Sequence, residues 1–196
     1  MFAFFPRHLP DYHDYVFFDK SHGNFSKEEC EKIISLFEEN KKTEAKTGGQ
    51  AGSLLTHIPN DKRKSHISWI GYNEKTHWIF EKLTRFVEGA NTRYGFQLNG
   101  FFESLQITEY QEGDHYDWHT DHGPAEFSVR KLSIVVQLSD PNDYEGGVLQ
   151  IQQHQVQEKN QGDVILFPSF SAHKVWPVTK GKRYSLVAWV TGEPFR

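Results

Sequence analysis

From Phe102 onward this chain breaks into short apolar segments separated by turn residues, and few folds tolerate that pattern. Leu105, Ile107 and Glu109 alternate with polar partners, residues 132–138 hold Ile134-Val135-Val136, and 148–151, 164–167, 173–178 and 184–190 follow as further strand candidates. Pro141-Asn142-Asp143 and Gly146-Gly147 punctuate them. Many short antiparallel strands bounded by Gly, Pro, Asn and Asp predict a sandwich or jelly roll. The first hundred residues read differently. Ser26 and Glu29 have capping-box spacing, and Cys30, Ile33, Ile34 and Phe37 recur at helical intervals, which predicts a helix over 27–40. Trp78, Ile79, Leu83, Phe86, Val87 and Ala90 mark a second helix with one apolar face. The fold class expected is α+β, mainly β: a sandwich or jelly-roll core over about 101–196 with supporting helices in about 1–100, all in one domain.

Charge and cysteine content narrow the function classes. The formal net charge is −4, so a basic footprint for nucleic acid is missing, and the short run Lys62-Arg63-Lys64 reads as solvated surface. The one cysteine, Cys30, allows no disulfide within the chain, which fits a reducing compartment. The apolar start at 2–5 is too short for a signal segment, and no apolar run approaches the roughly 20 residues of a membrane span. A cytoplasmic protein with no membrane and no nucleic-acid partner is expected. Residues 41–66, rich in Lys, Thr, Gly and Gln, read as a long loop, either plain surface or a lid over a pocket.

The chemistry concentrates in Tyr110 to Asp121, YQEGDHYDWHTD. Residues two apart on a strand share a face, so His119 and Asp121 can converge on one ion. Two imidazoles and one carboxylate on one face of a metal leave the opposite positions open, the arrangement of non-haem Fe(II) oxygenases. His173, at the start of a strand candidate, is the best source of the second imidazole. Spacing alone does not choose the pair, because His115-Tyr116-Asp117 fits as well. Arg183 lies ten residues after His173. On a neighbouring strand its guanidinium would meet a carboxylate through two parallel hydrogen bonds, which Lys cannot reproduce.

With these residues in place, the sequence resembles the prolyl 4-hydroxylase-like branch of the 2-oxoglutarate/Fe(II) oxygenases. That branch has the pattern Y-x-x-G-x-x-Y-x-x-H-x-D, matched at Tyr110, Gly113, Tyr116, His119 and Asp121. It continues with a Gly-Gly turn, matched by Gly146-Gly147-Val148-Leu149. A distal His, a basic residue ten positions later and a Trp six further on are matched by His173, Arg183 and Trp189. The resemblance runs from Leu105 to Val190 and selects His119-Asp121 over His115-Asp117. Coverage of the first hundred residues is weaker, resting on helix order and on 63–69 as a strand leading into the core.

The resemblance implies that His119, Asp121 and His173 bind Fe(II), that Arg183 binds the distal carboxylate of 2-oxoglutarate, and that Tyr110 adds a phenol hydrogen bond. Leu149, Val175 and Trp189 would wall the co-substrate pocket, and Tyr116 and Trp118 would be candidates to touch substrate. The implied reaction consumes O2 and 2-oxoglutarate, hydroxylates an unactivated C–H bond and releases succinate and CO2, with ascorbate as a candidate reductant. The implied substrate is a prolyl or other amino-acid residue in a peptide or protein; alternatives are a free amino acid or other small molecule. The alkylation-repair branch has a second Arg where this chain has Trp189, which argues against nucleic acid. A non-enzymatic jelly roll holding Zn(II) is the alternative from another class, and Arg183 argues against it, since a structural metal needs no dicarboxylate anchor.

Overall fold

The computed structural model describes residues 18–39, 43–45 and 62–194. Along them run β1 (Asp19–Ser21), α1 (Lys27–Glu39), β2 (Thr43–Glu44), β3 (Arg63–Lys64), β4 (His66–Ile70), α2 (His77–Tyr94), β5 (Leu98–Phe101) and β6 (Leu105–Tyr110). Next come β7 (His115–His119), β8 (Arg130–Gln137), β9 (Tyr144–Gly146), β10 (Leu149–Ile151) and β11 (His154–Gln155). The last are β12 (Val164–Pro168), β13 (His173–Val175), β14 (Val178–Gly181) and β15 (Arg183–Gly192).

Local chemistry sets the start of α1 and the end of α2. At α1 the Ser26 backbone N–H donates to Glu29 Oε2 at 2.7 Å while the Glu29 N–H donates to Ser26 Oγ at 3.3 Å, so two otherwise unpaired donors satisfy each other's residue. α2 ends at Gly95, whose φ of 67° is left-handed and whose N–H donates to the Asn91 carbonyl. The apolar faces, Cys30, Ile33 and Phe37 on α1 and Ile79, Phe80, Leu83, Val87 and Ala90 on α2, are buried.

The larger sheet has the order β1-β12-β8-β15-β6-β4-β2, with β5 beside β15. The smaller has the order β11-β10-β13-β7-β3, and all pairings are antiparallel. Alternation along the central strands divides the core in two. Ile107, Val136, Leu186, Ala188 and Val190 pack with Cys30, Phe37 and Leu83 of the helices. Tyr110, Val135, Ile165 and Phe167 of the larger sheet meet Leu149, Ile151 and Val175 of the smaller. This is the jelly-roll arrangement with a helical layer on its outer face.

Several expectations change. The first hundred residues are not purely helical: β1 to β4 extend both sheets, and segments of two to five residues are too short to show a period. All six residues of β6 are buried, so the apolar/polar alternation at 105–109 does not mark a solvent face. Helices cover one side of that strand and the second sheet covers the other. The strand expected over 173–178 divides into β13 and β14 at Trp176-Pro177, where proline has no N–H for the ladder. Of the proposed lid over 41–66, residues 43–45 and 62–66 lie in or beside strands, and 41–42 and 46–61 lie outside the described residues.

Candidate metal centre

Two neighbouring strands and a loop build the site. His119 ends β7 and His173 begins β13, and the two are register partners. On β7 the register slips by one residue between Tyr116 and His119, a bulge that turns both inward although they are three apart. Tyr116 stacks on the His119 imidazole with ring centroids 3.4 Å apart. Asp121 lies just past the strand, where its backbone N–H and that of His122 both donate to the Ser169 carbonyl at 2.9 Å.

Among the described residues, His119, Asp121 and His173 form the one group of three whose ligand atoms all lie within 4.8 Å of one another. Asp121 Oδ1 is 3.8 Å from His119 Nε2, and Asp121 Oδ2 is 3.5 Å from His173 Nε2. Those separations suit an ion between the groups, because two bonds of about 2.1 Å reach across about 4 Å. Each imidazole has its tautomer fixed. His119 Nδ1 donates to the Asp117 carbonyl at 2.8 Å and His173 Nδ1 to the Ser171 carbonyl at 3.0 Å, and a carbonyl can only accept. Both Nε2 lone pairs therefore face the cluster. Burial, with His173 alongside, lowers the His119 pKa to about 3, keeping it neutral. Burial acts to raise the Asp121 pKa, but His173, His119, Arg130 and the Ser133 hydroxyl outweigh it and hold the carboxyl at about 2. Two imidazoles and one carboxylate are the donor set that Fe(II) takes with open positions.

Asp121 is held on its second oxygen as well. Ser133 Oγ donates to Oδ2 at 2.6 Å, and Ser133 Oγ lies 2.9 Å from Ser169 Oγ. Both serines are fully buried. An oxygen engaged by Ser133 favours Asp121 binding a metal through Oδ1 alone.

Arg183 lies on the inner face of β15, 1% exposed. One nitrogen, Nη2, donates to Gln137 Oε1 at 2.8 Å, and the guanidinium lies 5.5 Å from the Tyr110 ring centre. Nε and Nη1 are buried and have no hydrogen-bond partner among the described residues. A buried cation with unmet donors is costly unless an anion completes it, and a carboxylate matches that fork. Gly147 makes room for the side chain. It adopts φ +58°, and a Cβ there would stand 2.8 Å from Arg183 Cδ. At its neighbour Gly146 a Cβ would fall 2.4 Å from the Pro177 carbonyl oxygen, so the turn requires both glycines.

The other sequence-selected residues sort by face. Tyr110, Leu149 and Val175 line the space between the sheets, and Tyr110 is 4% exposed. Trp189 shares the inner face with Arg183 but sits six residues along, about 20 Å at roughly 3.3 Å per residue. Its neighbours are Arg130, 3.9 Å from the ring centre, and Trp69 at 6.0 Å. It therefore walls the end near Asp121, whose carbonyl accepts from Arg130 Nη1 at 3.3 Å, and not the Arg183 end. Trp118 falls within the bulge and turns to the outer face, where Lys174 Nζ lies 5.3 Å from its ring. It does not join the cluster. Asp117 is exposed, and the His115-Asp117 pair gains no third ligand among the described residues.

Sequence reasoning missed the supporting polar residues. Ser133 and Gln137 interrupt the Val/Ile run of β8 four residues apart on the inner face, a signal visible in the sequence. Glu103, Arg130 and Ser169 gave none. Arg63, read as surface, turns inward over Tyr116 with its guanidinium carbon 4.5 Å from the ring centre.

Residues 105–191 match the family model described as the 2OG-Fe(II) oxygenase superfamily. This segment belongs to that superfamily. A PKHD-type hydroxylase of Synechococcus sp. (strain CC9902) is 39% identical over 90 residues, covering 44% of this chain and 40% of that protein. A PKHD-type hydroxylase of Prochlorococcus marinus (strain MIT 9211) is 28% identical over 172 residues, covering 86% and 76%. The chain thus spans less than half of the first relative's length and about three quarters of the second's. Among solved structures, the viral collagen prolyl hydroxylase of Paramecium bursaria Chlorella virus-1 superposes with a TM-score of 0.68 at 18% identity, over 92% of this chain and 99% of that one. The Pseudomonas putida prolyl-4-hydroxylase superposes with a TM-score of 0.64 at 20% identity, over 90% and 93%. These likenesses establish the jelly-roll fold. The superfamily's name gives the metal and co-substrate it uses, Fe(II) and 2-oxoglutarate. No helix among the described residues is long and apolar enough to cross a membrane.

Proposed function

We propose that this protein is an Fe(II)- and 2-oxoglutarate-dependent dioxygenase that hydroxylates a C–H bond of a prolyl or other amino-acid residue in a peptide or protein. The observation that carries the reading is Arg183, a buried guanidinium with two nitrogens that lack hydrogen-bond partners among the described residues, placed between the same two sheets as the His119–Asp121–His173 cluster. A structural Zn(II) site would gain nothing from it. Ser133, which holds Asp121, and Gln137, which holds Arg183, lie four residues apart on one face of β8. That is roughly 13 Å between Cα atoms, a spacing a five-carbon dicarboxylate can bridge once both side chains reach inward. The relatives' names, PKHD-type hydroxylase, and the fold shared with prolyl hydroxylases, one of them solved with a peptide fragment of hypoxia inducible factor, support a peptidyl substrate.

In this reading His119, Asp121 and His173 hold Fe(II), which with 2-oxoglutarate and O2 supplies the oxidising chemistry, yielding succinate and CO2. Arg183 and Tyr110 orient the co-substrate's distal carboxylate. Leu149, Ile151, Phe167 and Val175 keep water from that end of the cavity. Tyr116, Trp189 and Arg130 shape the end where substrate enters, beside His119, which keeps partial exposure. The described residues act as one catalytic unit. The single buried thiol fits the cytoplasm, and ascorbate is the reductant to supply in assays.

Purified protein given Fe(II) and 2-oxoglutarate without oxygen is expected to develop a weak visible charge-transfer band. Admitting air with a suitable peptide should release succinate. Absence of both the band and succinate would remove the oxygenase reading.

A further inference from the structure

Three arginines reach the space between the sheets, and their partners differ. Arg183 has donors unmet among the described residues at the proposed co-substrate end. Arg130 is neutralised: its Nε donates to Glu103 Oε1 at 2.6 Å and its Nη2 to Glu103 Oε2. Arg63 is not at that end, and among the described residues only uncharged acceptors meet it. Its Nε donates to Ser65 Oγ at 3.0 Å and its Nη2 to Gln106 Oε1 at 2.9 Å, both uncharged acceptors. No carboxylate lies within ion-pairing distance of it among the described residues, whereas Lys64, the next residue, pairs with Asp114 at 3.2 Å on the other side of the strand. Nη1 of Arg63 has no protein partner among the described residues.

Its position is fixed from several sides. β3 pairs with β7 so that Arg63 stands opposite Tyr116, and its guanidinium covers the ring that stacks on His119. Gln106 anchors the fork from the inner face of the larger sheet, beside Trp69 on β4, whose ring neighbours Trp189. Arg63, Tyr116, Trp69 and Trp189 thus lie along the rim by which the cluster is open, since the His119 side chain keeps 14% of its exposure. A half-buried guanidinium held in one orientation by neutral groups is preorganised for an anion, because among the described residues no ion pair must break first.

We propose that Arg63 forms a carboxylate-binding subsite at the mouth of the site, and that the substrate presents a carboxylate to it while its reacting C–H bond faces the cluster. The proposal rests on the oxygenase reading and names the chemistry its substrate must carry. Two sources supply that group: the α-carboxylate of a free amino acid, or an acidic side chain beside the target residue of a peptide.

The test uses protein loaded with Mn(II), with and without 2-oxoglutarate. The affinity of each probe is read from the relaxation of its protons by the bound ion. One pair of probes is L-proline and L-prolinamide; the other is acetyl-Ala-Pro-Asp-amide and acetyl-Ala-Pro-Asn-amide. In the wild type, the carboxylate member of at least one pair should bind about tenfold or more tightly than its amide, as a charge-assisted pair allows. The pair that shows the difference identifies the source. Arg63→Gln should abolish the preference and Arg63→Lys should retain part of it, while 2-oxoglutarate affinity stays unchanged in both, which also shows that the variants are folded. No preference in either pair, no binding of either carboxylate probe, a preference that survives Arg63→Gln, or an equal loss of 2-oxoglutarate affinity would each overturn the proposal. Failure of 2-oxoglutarate to bind the wild type strikes the oxygenase reading instead, and the probe comparison without it still decides the subsite.

Discussion

Replacing Arg183 with Met should make the protein more stable without co-substrate and less stable with it. The guanidinium is 1% exposed, and two of its nitrogens lack partners among the described residues. Leaving a buried donor unmet costs about 1–3 kcal/mol, so removing two relieves roughly 4 kcal/mol. Against that, the Nη2 bond to Gln137 is lost and Gln137 Oε1 is left unpaired, about 2 kcal/mol together. Met fills most of the volume of the stem, so the net gain is near 2 kcal/mol. For a domain of this size that raises Tm by roughly 4–8 °C. Co-substrate reverses the order. Ligand at a hundred times its Kd stabilises the wild type by about 2.7 kcal/mol, whereas the variant lacks the forked carboxylate partner and gains little. Thermal unfolding with Mn(II), across a 2-oxoglutarate titration, should therefore show the two curves crossing. Equal co-substrate shifts in both proteins, or a variant that melts lower throughout, would refute the assignment of those donors to a carboxylate.

Three further outcomes are expected. Ser133→Ala removes the donor to Asp121 Oδ2 and should weaken Mn(II) or Co(II) binding by about 10–100-fold, with Ser133→Thr retaining most of the affinity; unchanged metal affinity in the alanine variant would leave the Ser133–Asp121 bond without a role. Gly147→Ala combines a left-handed backbone with a Cβ 2.8 Å from Arg183 Cδ, so the variant should lose 2-oxoglutarate binding ahead of metal binding in parallel titrations, and a variant with wild-type values would contradict the packing. Burial, with Glu29 nearby, raises the Cys30 thiol to about 12, while an unfolded thiol titrates near 8.5. Below about pH 8.5 both states keep the proton and stability is flat. Above it the unfolded thiolate is favoured, so urea midpoints should fall up to about pH 12, and Cys30→Ala should flatten that slope. Fast reaction of the native thiol with a disulfide reagent at pH 8 would show that Cys30 is not buried as described.

The sequence by itself determined what depends on near neighbours. Ser26 and Glu29 cap α1 because the two residues are three apart and need nothing else. The change from a 3.6-residue to a two-residue pattern announced helices followed by a sandwich or jelly roll, because period follows backbone geometry. The spacing of His119, Asp121, His173 and Arg183 was legible through a family pattern, although the chain alone left His115-Asp117 equally eligible. Tertiary structure decided which groups meet. A one-residue bulge turns Tyr116 and His119 inward together and sends Trp118 out, and no local rule specifies where a register slips. Six residues of strand put Trp189 far from Arg183, so a shared face did not mean a shared pocket. Ser133, Ser169 and Gln137 gained their roles only when β8, β12 and β15 were laid side by side. Arg63 looked like one charge in a basic run until β3 paired with β7. Hydrogen bonds and ring contacts between residues tens of positions apart in the chain depend on how strands are ordered and registered, and that order is written in the packing of the whole core.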